Sequence, residues 1–189
     1  MGRTKIDKET VLCRAAQMLN TSHDQPLSLK LLAEDLGIQS PSLYYYFKSL
    51  DDLKRELMLY GWRQMDNNML RSMVGLSGYE AVKSMAHAFY EYATTNSGVF
   101  NLMLWYNQFE SDETAETISE SFSALIRIMG TLGISELNAC HLIRTFRGFL
   151  QGFSQLVNHG AFGNPISIED SFEISLNVII EGMKSFEGK

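Results

Sequence analysis

The sequence predicts an all-α protein of about nine helices, on three observations. Long windows repeat apolar residues at i, i+3, i+4 and i+7, which is the spacing of one helix face. No alternating apolar stretch is bounded by a hairpin signal such as Asn-Gly or Asp-Gly. Only three prolines occur in 189 residues, and Pro26, Pro41 and Pro165 lie where helices are expected to begin or end.

The first part of the chain predicts four helices. The first begins near Asp7, a residue type that caps helices, and ends in "NTSHDQP". The second follows Ser28 as its N-cap and ends at Gly37, where a left-handed C-cap favours a residue without a Cβ. A short third helix is expected over 40–47. A long fourth helix, over 50–74, follows a capping sequence in "SLDD".

Five further helices are expected, separated by turn-forming sequences such as "NSG", "GTLGIS" and "GAFGNPIS". Their approximate bounds are 78–95, 98–109, 112–131, 135–159 and 167–186. This pattern predicts an N-terminal three-helix domain over 1–50 and a larger helical domain over 51–189, with the long helix 51–74 as the connector.

Composition and charge narrow the class of protein. Hydrophobic residues make up 45% of the chain, which is enough for a packed core. The formal net charge is -6: residues 1–63 hold nine Lys/Arg and eight Asp/Glu (+1), and residues 64–189 hold seven and fourteen (-7). Only the first third therefore tolerates a polyanion. Since the N-terminus lacks a signal peptide and no long apolar run occurs, we expect a cytoplasmic protein with no membrane contact.

The two cysteines, Cys13 and Cys140, lie far apart in apolar helical patterns. We interpret them as reduced thiols in the core of an intracellular protein rather than as a disulfide.

Two short helices joined by a turn with Gly37 have the helix-turn-helix arrangement. Leu43 and Phe47 are four residues apart and are expected to face the core. Three consecutive tyrosines follow Leu43, and they cannot all be buried because a helix turns about 100° per residue. Tyrosine hydroxyls donate hydrogen bonds to phosphate oxygens, and their rings pack on sugars or thymine methyl groups. For Tyr46, a DNA contact and a partly buried core position are equally supported.

The segment "LSLKLLAEDLGIQSPSLYYYFKSLDDL" resembles the DNA-binding signature of the TetR family of transcriptional repressors, and the resemblance spans about residues 7–60. It implies a homodimer that binds double-stranded operator DNA and responds to a small-molecule effector, without a cofactor. One departure is Leu50, where the family usually has a Lys that contacts phosphate. The positions that the resemblance places on DNA are Ser28, Lys30, Gln39, Ser40, Pro41, Ser42, Tyr44, Tyr45, Tyr46 and Lys48.

The C-terminal part resembles one subgroup of the family through "TTNSGVFNLML" and "GFLQGFSQLVNHGAF". That subgroup typically has Trp-His-Gly where this chain has Leu150, Gln151 and Gly152.

An effector site is expected among methionine, aromatic and polar residues of the larger domain. Methionine adapts to irregular space, and a few polar groups in an apolar pocket orient a ligand. The polar residues His141, Arg144, Arg147 and Gln151 recur along one apolar helix, where a subunit interface or plain solvent exposure is the alternative. We expect a mainly hydrophobic effector with a polar or anionic end near Arg147 or Gln151. The candidate ligand residues are Met65, Met69, Phe89, Met103, Tyr106, Phe122, Arg144, Arg147 and Gln151.

The last helix carries an apolar stripe that is expected to form the dimer interface, with the intrachain core as the alternative. The stripe consists of Phe172, Leu176, Ile179, Ile180 and Met183.

An enzyme is not expected. The four histidines lack metal-ligand spacing such as H-E-x-x-H, and no catalytic or nucleotide-binding motif occurs. The sequence therefore predicts a ligand-responsive repressor that binds a palindromic operator as a dimer, in which the effector tilts the long helix. The alternatives are a DNA-binding regulator controlled by a partner protein, or an all-α small-molecule carrier with no DNA role.

Overall fold

A computed structural model describes the chain over residues 6–21, 26–104 and 119–189. The described residues form nine helices and no strand, so the all-α prediction is confirmed. The helices are α1 (Lys8–Thr21), α2 (Leu29–Asp35), α3 (Ser40–Leu43), α4 (Leu50–Ser72), α5 (Gly78–Thr95), α6 (Ser97–Met103), α7 (Ser119–Thr131), α8 (Glu136–Asn158) and α9 (Ile168–Lys184). The remaining parts of the helices predicted over 98–109 and 112–131 lie outside the described residues.

The predicted caps of α2 are present. The Ser28 hydroxyl accepts a hydrogen bond from the backbone N–H of Leu31 at 3.2 Å. Gly37 follows the helix with φ +64°, and the next N–H, of Ile38, bonds to the carbonyl of Ala33 at 3.0 Å. A side chain at Gly37 would be strained by that φ, so this glycine sets the turn that directs α3.

The third helix is shorter than predicted. Its α-helical part ends at Leu43, and Tyr44–Tyr46 continue as turns, with the Tyr44 N–H bonded to the Pro41 carbonyl at 3.3 Å. The tighter i–3 bonding still keeps Leu43 and Phe47 on the core side, and both side chains are fully buried. The tyrosines are therefore presented from a tight turn rather than from a continuous helix.

The chain forms two compact units. The first unit takes the described parts of Met1–Arg63 and Asn96–Thr114. The second takes Gln64–Thr95 and the described part of Ala115–Lys189. The 23-residue helix α4 contributes residues to both units, and α6 joins the first.

Within the first unit, α1 and α6 pack against each other at close range. A Cβ placed on Gly98 would lie 2.1 Å from the carbonyl oxygen of Leu19. The Asn20 side chain donates to Asn96 Oδ1 at 2.9 Å and accepts from the Val99 N–H at 3.0 Å. Asn20 therefore satisfies an otherwise unpaired amide in the first turn of α6.

Within the second unit, α5, α7, α8 and α9 pack on one another around an apolar core. The Asn158 amide donates to the Ala93 carbonyl at 3.0 Å and thereby holds the end of α8 against α5. None of the helices in the described ranges is long and apolar enough to span a bilayer.

The prediction of buried cysteines is wrong. Cys13 and Cys140 are both exposed free thiols. Cys13 directly follows the buried Leu12, and Cys140 directly follows the buried Ala139. Because a helix turns by about 100° per residue, the residue after a buried position points away from the buried face.

Candidate DNA-binding surface and effector core

Within the first unit, the helix-turn-helix is held against its neighbouring helices by two charged pairs. The Arg14 guanidinium of α1 bonds to both oxygens of Asp35 at the end of α2, with Nη2 2.6 Å from Oδ1. The hydrogen bond from Arg14 lowers the pKa of Asp35. On the other side of α1, Lys8 pairs with Glu56 of α4 at 2.8 Å and lies over the Phe47 ring. These contacts fix α2 and the tyrosine turn relative to α1.

The surface around α3 presents polar and aromatic groups outward. Tyr45 is 85% exposed and Tyr44 is 58% exposed, which are high values for aromatic side chains. Neither hydroxyl accepts or donates an intrachain hydrogen bond among the described residues. The other exposed positions of the predicted set are Lys30, Gln39, Pro41, Ser42 and Lys48, and Ser28 and Ser40 are half-buried.

Tyr46 differs from its two neighbours. Its side chain is half-buried, and its hydroxyl donates to the carbonyl oxygen of Ile6 at 2.5 Å. Since a phenol has one proton to donate, this bond leaves Tyr46 no donor for a phosphate. Its hydroxyl ties Ile6 to the tyrosine turn, and the assignment of Tyr46 to the DNA backbone stays a prediction that this bond does not favour.

The N-terminus of α4 is acidic. Asp51 and Asp52 occupy its first turn, and the Asp52 carboxylate accepts from the Lys48 N–H at 2.8 Å. The Ser49 hydroxyl in turn accepts from the Asp52 N–H at 3.1 Å, which completes the predicted cap. Lys48, which comes directly before this cap, is exposed.

The candidate ligand residues are divided between the two units. Met103 packs against Gly61 in the first unit. Met65, Met69 and Phe89 are buried in the second unit, at 0%, 2% and 5% exposure. Phe122 is half-buried, with the Arg147 guanidinium 5.4 Å from its ring centre, and Gln151 is also half-buried. Tyr106 lies outside the described residues.

Arg144 does not fit an interior ligand site. It is exposed, like His141 one turn earlier, whereas the core face of α8 is formed by Ile143, Phe146 and Leu150. The helical rotation that buries this face turns Arg144 toward solvent, so the solvent-exposed alternative describes its placement.

The apolar stripe of α9 is also placed differently from its expected role. Phe172, Leu176, Ile180 and Met183 are at most 2% exposed within a single chain, and Ile179 is half-buried. Tyr90 stacks on Phe172 with ring centres 4.3 Å apart, and this burial together with nearby Glu169 raises the pKa of Tyr90. The four buried side chains offer no surface to a second copy, so the stripe is intrachain core.

Sequence reasoning missed several residues that the structure singles out. Ile174 and Val178 lie one turn apart on the outer face of α9 and are 65% and 66% exposed. Asp66 and Ser154 are polar but buried in the second unit. In the described ranges, no three His, Cys, Asp or Glu side chains come together in a group able to hold a metal ion.

Comparison with known proteins agrees with this architecture. Residues 82–179 match the family model for the "Tetracyclin repressor-like, C-terminal domain". That match covers more than half of the 189 residues, and the chain belongs to the TetR family. It is a DNA-binding transcriptional regulator of the helix-turn-helix type.

Individual relatives cover nearly the whole chain. The uncharacterized HTH-type transcriptional regulator YobS of Bacillus subtilis (strain 168) is 26% identical over 183 residues, 96% of this chain and 94% of the relative. A TetR variant from Acinetobacter baumannii AYE, solved in complex with minocycline, has a TM-score of 0.75 at 20% identity, with 98% and 100% coverage. BioQ, solved with its double-stranded DNA operator, has a TM-score of 0.66 at 16% identity, with 96% and 99% coverage. The two structures share the fold of this chain.

Proposed function

We propose that the protein is a homodimeric repressor that binds a palindromic operator and is released from it by a small, mainly hydrophobic effector. The observation that carries the proposal is the pair of outward tyrosines on a helix-turn-helix, Tyr44 and Tyr45, beside the exposed Lys48. Large aromatic groups with free hydroxyls fit the phosphates, sugars and methyl groups of a duplex groove. The operator-bound BioQ structure, which has the same fold, supports this assignment.

The remaining exposed residues divide into two roles. Ser28 has its oxygen engaged by the Leu31 N–H, but its hydroxyl proton is free to donate to a phosphate. Lys30 and Lys48 supply charge at the backbone. Gln39, Ser42 and Tyr45 lie toward the base edges, together with the half-buried Ser40 and the ring of Pro41. Because the net charge of residues 1–63 is only +1, directed hydrogen bonds carry more of the affinity than bulk charge does.

The second copy is proposed to pack on the outer faces of α8 and α9. On α9 this face carries the exposed Ile174 and Val178. On α8 it carries Gly148, Gly152 and Leu156 at a spacing of four residues, and a Cβ on either glycine would meet no atom within 4 Å. Exposed apolar side chains on one helix and small residues at a spacing of four on the other suit the close approach of another helix. A two-fold pair is also what a palindromic operator requires.

The long helix α4 is the proposed route of control. It carries residues of both compact units, over about 35 Å at 1.5 Å per residue. An effector that binds the second unit and shifts the end of α4 changes the placement of the helix-turn-helix. Coupling of this kind is reciprocal. Operator DNA therefore lowers the affinity for the effector by the same factor by which the effector lowers the affinity for operator DNA. TetR-family regulators are in general non-enzymatic, and we assign no catalytic role.

Tyr44→Phe tests the DNA surface directly. The substitution removes an exposed hydroxyl and keeps the ring, so stability should be unchanged. One hydrogen bond to a charged phosphate is worth about 1.5–3 kcal/mol of binding free energy. Its loss should therefore weaken operator binding by roughly 10- to 150-fold. The measurement is a binding titration on operator DNA selected from a genomic library, together with a melting curve.

Tyr46→Phe is the matched control, since it removes the same atom from the neighbouring side chain. Its hydroxyl bonds to Ile6, so the melting temperature should fall by a few degrees, for a loss of about 1 kcal/mol, while operator affinity changes little. The opposite pattern, with Tyr46→Phe defective in DNA binding and Tyr44→Phe normal, would refute the proposed surface.

A further inference from the structure

The buried polar side chains of the described residues all lie in the second unit. They are Asp66 on α4, Ser121 on α7 and Ser154 on α8, with 7%, 1% and 0% exposure. Buried polar groups are costly unless they are hydrogen-bonded, and a buried charge is costlier still unless it is paired. Two of the three are incompletely satisfied, and the same unit is the proposed effector domain.

Among the described residues, Asp66 is a buried carboxylate that pairs with no cation. Within the described residues it accepts a single hydrogen bond, from the Ser121 N–H to Oδ1 at 3.1 Å, and it forms no ion pair. This bond places Asp66 at the first turn of α7, where the helix dipole offsets part of the negative charge. A carboxylate accepts about four hydrogen bonds, so most of its capacity remains unused.

Ser154 is a second and independent sign of a missing polar partner. Its Oγ is buried and has no hydrogen-bond partner among the described residues. A serine inside a helix usually bonds to the carbonyl four residues earlier when nothing else is available. Unsatisfied buried hydroxyls are rare in folded proteins, and a ligand group is one of the accepted explanations for them.

The core of the second unit, in which these groups are buried, is largely apolar. Its buried side chains include Met65 and Met69 on α4, the helix that carries Asp66, and Met85 and Phe89 on α5. Methionine side chains repack readily around ligands of different shape. Residues 64–189 also carry seven basic and fourteen acidic side chains, a net charge of -7 that attracts cations and repels anions.

We infer that the effector is an apolar organic cation whose positive end pairs with Asp66. This inference rests on the proposed effector-controlled function and differs from the polar or anionic end near Arg147 or Gln151 that is expected from the sequence. Of the two arginines behind that expectation, Arg144 is exposed and Arg147 lies over the Phe122 ring. Pairing with a cation would complete the charge balance of Asp66, and the methionine-rich core would take the apolar body.

Two probes of the same shape and opposite charge test the inference on the full-length protein. Tetraphenylphosphonium and tetraphenylborate both carry four phenyl rings. We expect the phosphonium to raise the melting temperature and to bind at least about ten-fold more tightly than the borate, since Coulomb attraction to the Asp66 carboxylate favours the cation and repulsion opposes the anion. Equal binding of both probes, or preference for the borate, would overturn the inference without any variant being made.

Asp66→Asn then tests the residue. Asparagine keeps an oxygen that accepts from the Ser121 N–H and removes the charge, so the fold should persist while the lost Coulomb attraction lowers phosphonium affinity by roughly ten-fold. Asp51→Asn, on the same helix at a carboxylate that is 82% exposed, should bind the phosphonium like the unmodified protein. If folded Asp66→Asn binds the phosphonium with unchanged affinity, Asp66 is not its counter-charge. If Asp66→Asn fails to fold, the comparison of the two probes on the unmodified protein decides.

Operator release separates this inference from the proposed function. A phosphonium that binds through Asp66 but leaves operator DNA bound would contradict effector control and uphold the cation site. An apolar anion that binds the second unit and releases operator DNA would uphold effector control and contradict the cation site.

Discussion

Charging the outer face of α9 with Ile174→Glu and Val178→Glu together is expected to produce a folded monomer that no longer binds operator DNA. Both side chains are about two-thirds exposed in the single chain, so the substitutions should leave the core intact. Full burial of such a side chain stabilises an interface by about 1.5–3 kcal/mol. In a two-fold dimer both subunits contribute each residue, so each substitution acts twice. Unpaired carboxylates in the same place oppose association, so operator affinity should fall by at least about 100-fold.

Val74→Glu is the control for this pair. Val74 is 79% exposed in the turn between α4 and α5, so it receives the same charge at a site that the proposed interface does not include. Light scattering after size exclusion gives the oligomeric state, and circular dichroism gives the helical content. A double variant that remains a dimer and binds operator DNA normally would place the interface on another face.

Gly98→Ala is expected to cause the largest loss of stability of any single substitution considered. The new Cβ would lie 2.1 Å from the oxygen and 2.4 Å from the carbon of the Leu19 carbonyl. Both atoms belong to the backbone of α1, so neither can move as the end of a flexible side chain would. Overpacking a core typically lowers the free energy of unfolding by about 1–3 kcal/mol, and the upper end is expected here. That loss corresponds to a fall of roughly 6–12 °C in melting temperature.

Gly130→Ala provides the comparison for Gly98→Ala. Gly130 lies in α7, and a Cβ there would meet no atom within 4 Å. Alanine is the better helix former, so this variant should be more stable by up to about 1 kcal/mol. A Gly98→Ala protein that melts together with the unmodified chain would contradict the described packing of α1 on α6.

Local sequence signals were sufficient for much of the fold. Ser28 and Gly37 bounded α2 correctly, because capping depends on residues adjacent in the chain. The outward position of Tyr44 and Tyr45 followed from the burial of Leu43 and Phe47 at helical spacing. The helix-turn-helix segment resembles the TetR family, and a different segment, residues 82–179, matches a model of the same family.

The features that the sequence did not predict depend on contacts between residues distant in sequence. The periodicity of the sequence shows that α9 has an apolar stripe. It does not distinguish packing against α5 and α8 of the same chain from packing against a second copy. The hydrogen bond from Tyr46 to Ile6 spans 40 residues, and neither residue type predicts it. Asp66 stands in "RQMDNNM", where its neighbours Asn67 and Asn68 are exposed, so nothing local distinguishes a buried carboxylate from a solvated one.

The central claim is that two copies of the tyrosine surface read one operator. Nuclease footprinting of the protein on DNA retained from a genomic library tests it most directly. We predict a palindromic site with half-site centres one helical turn apart, about 34–36 Å, and protection that is lost with Tyr44→Phe at concentrations that saturate the unmodified protein. Retention of genomic fragments without a common sequence, or a single unrepeated site that Tyr44→Phe protects equally well, would contradict the account.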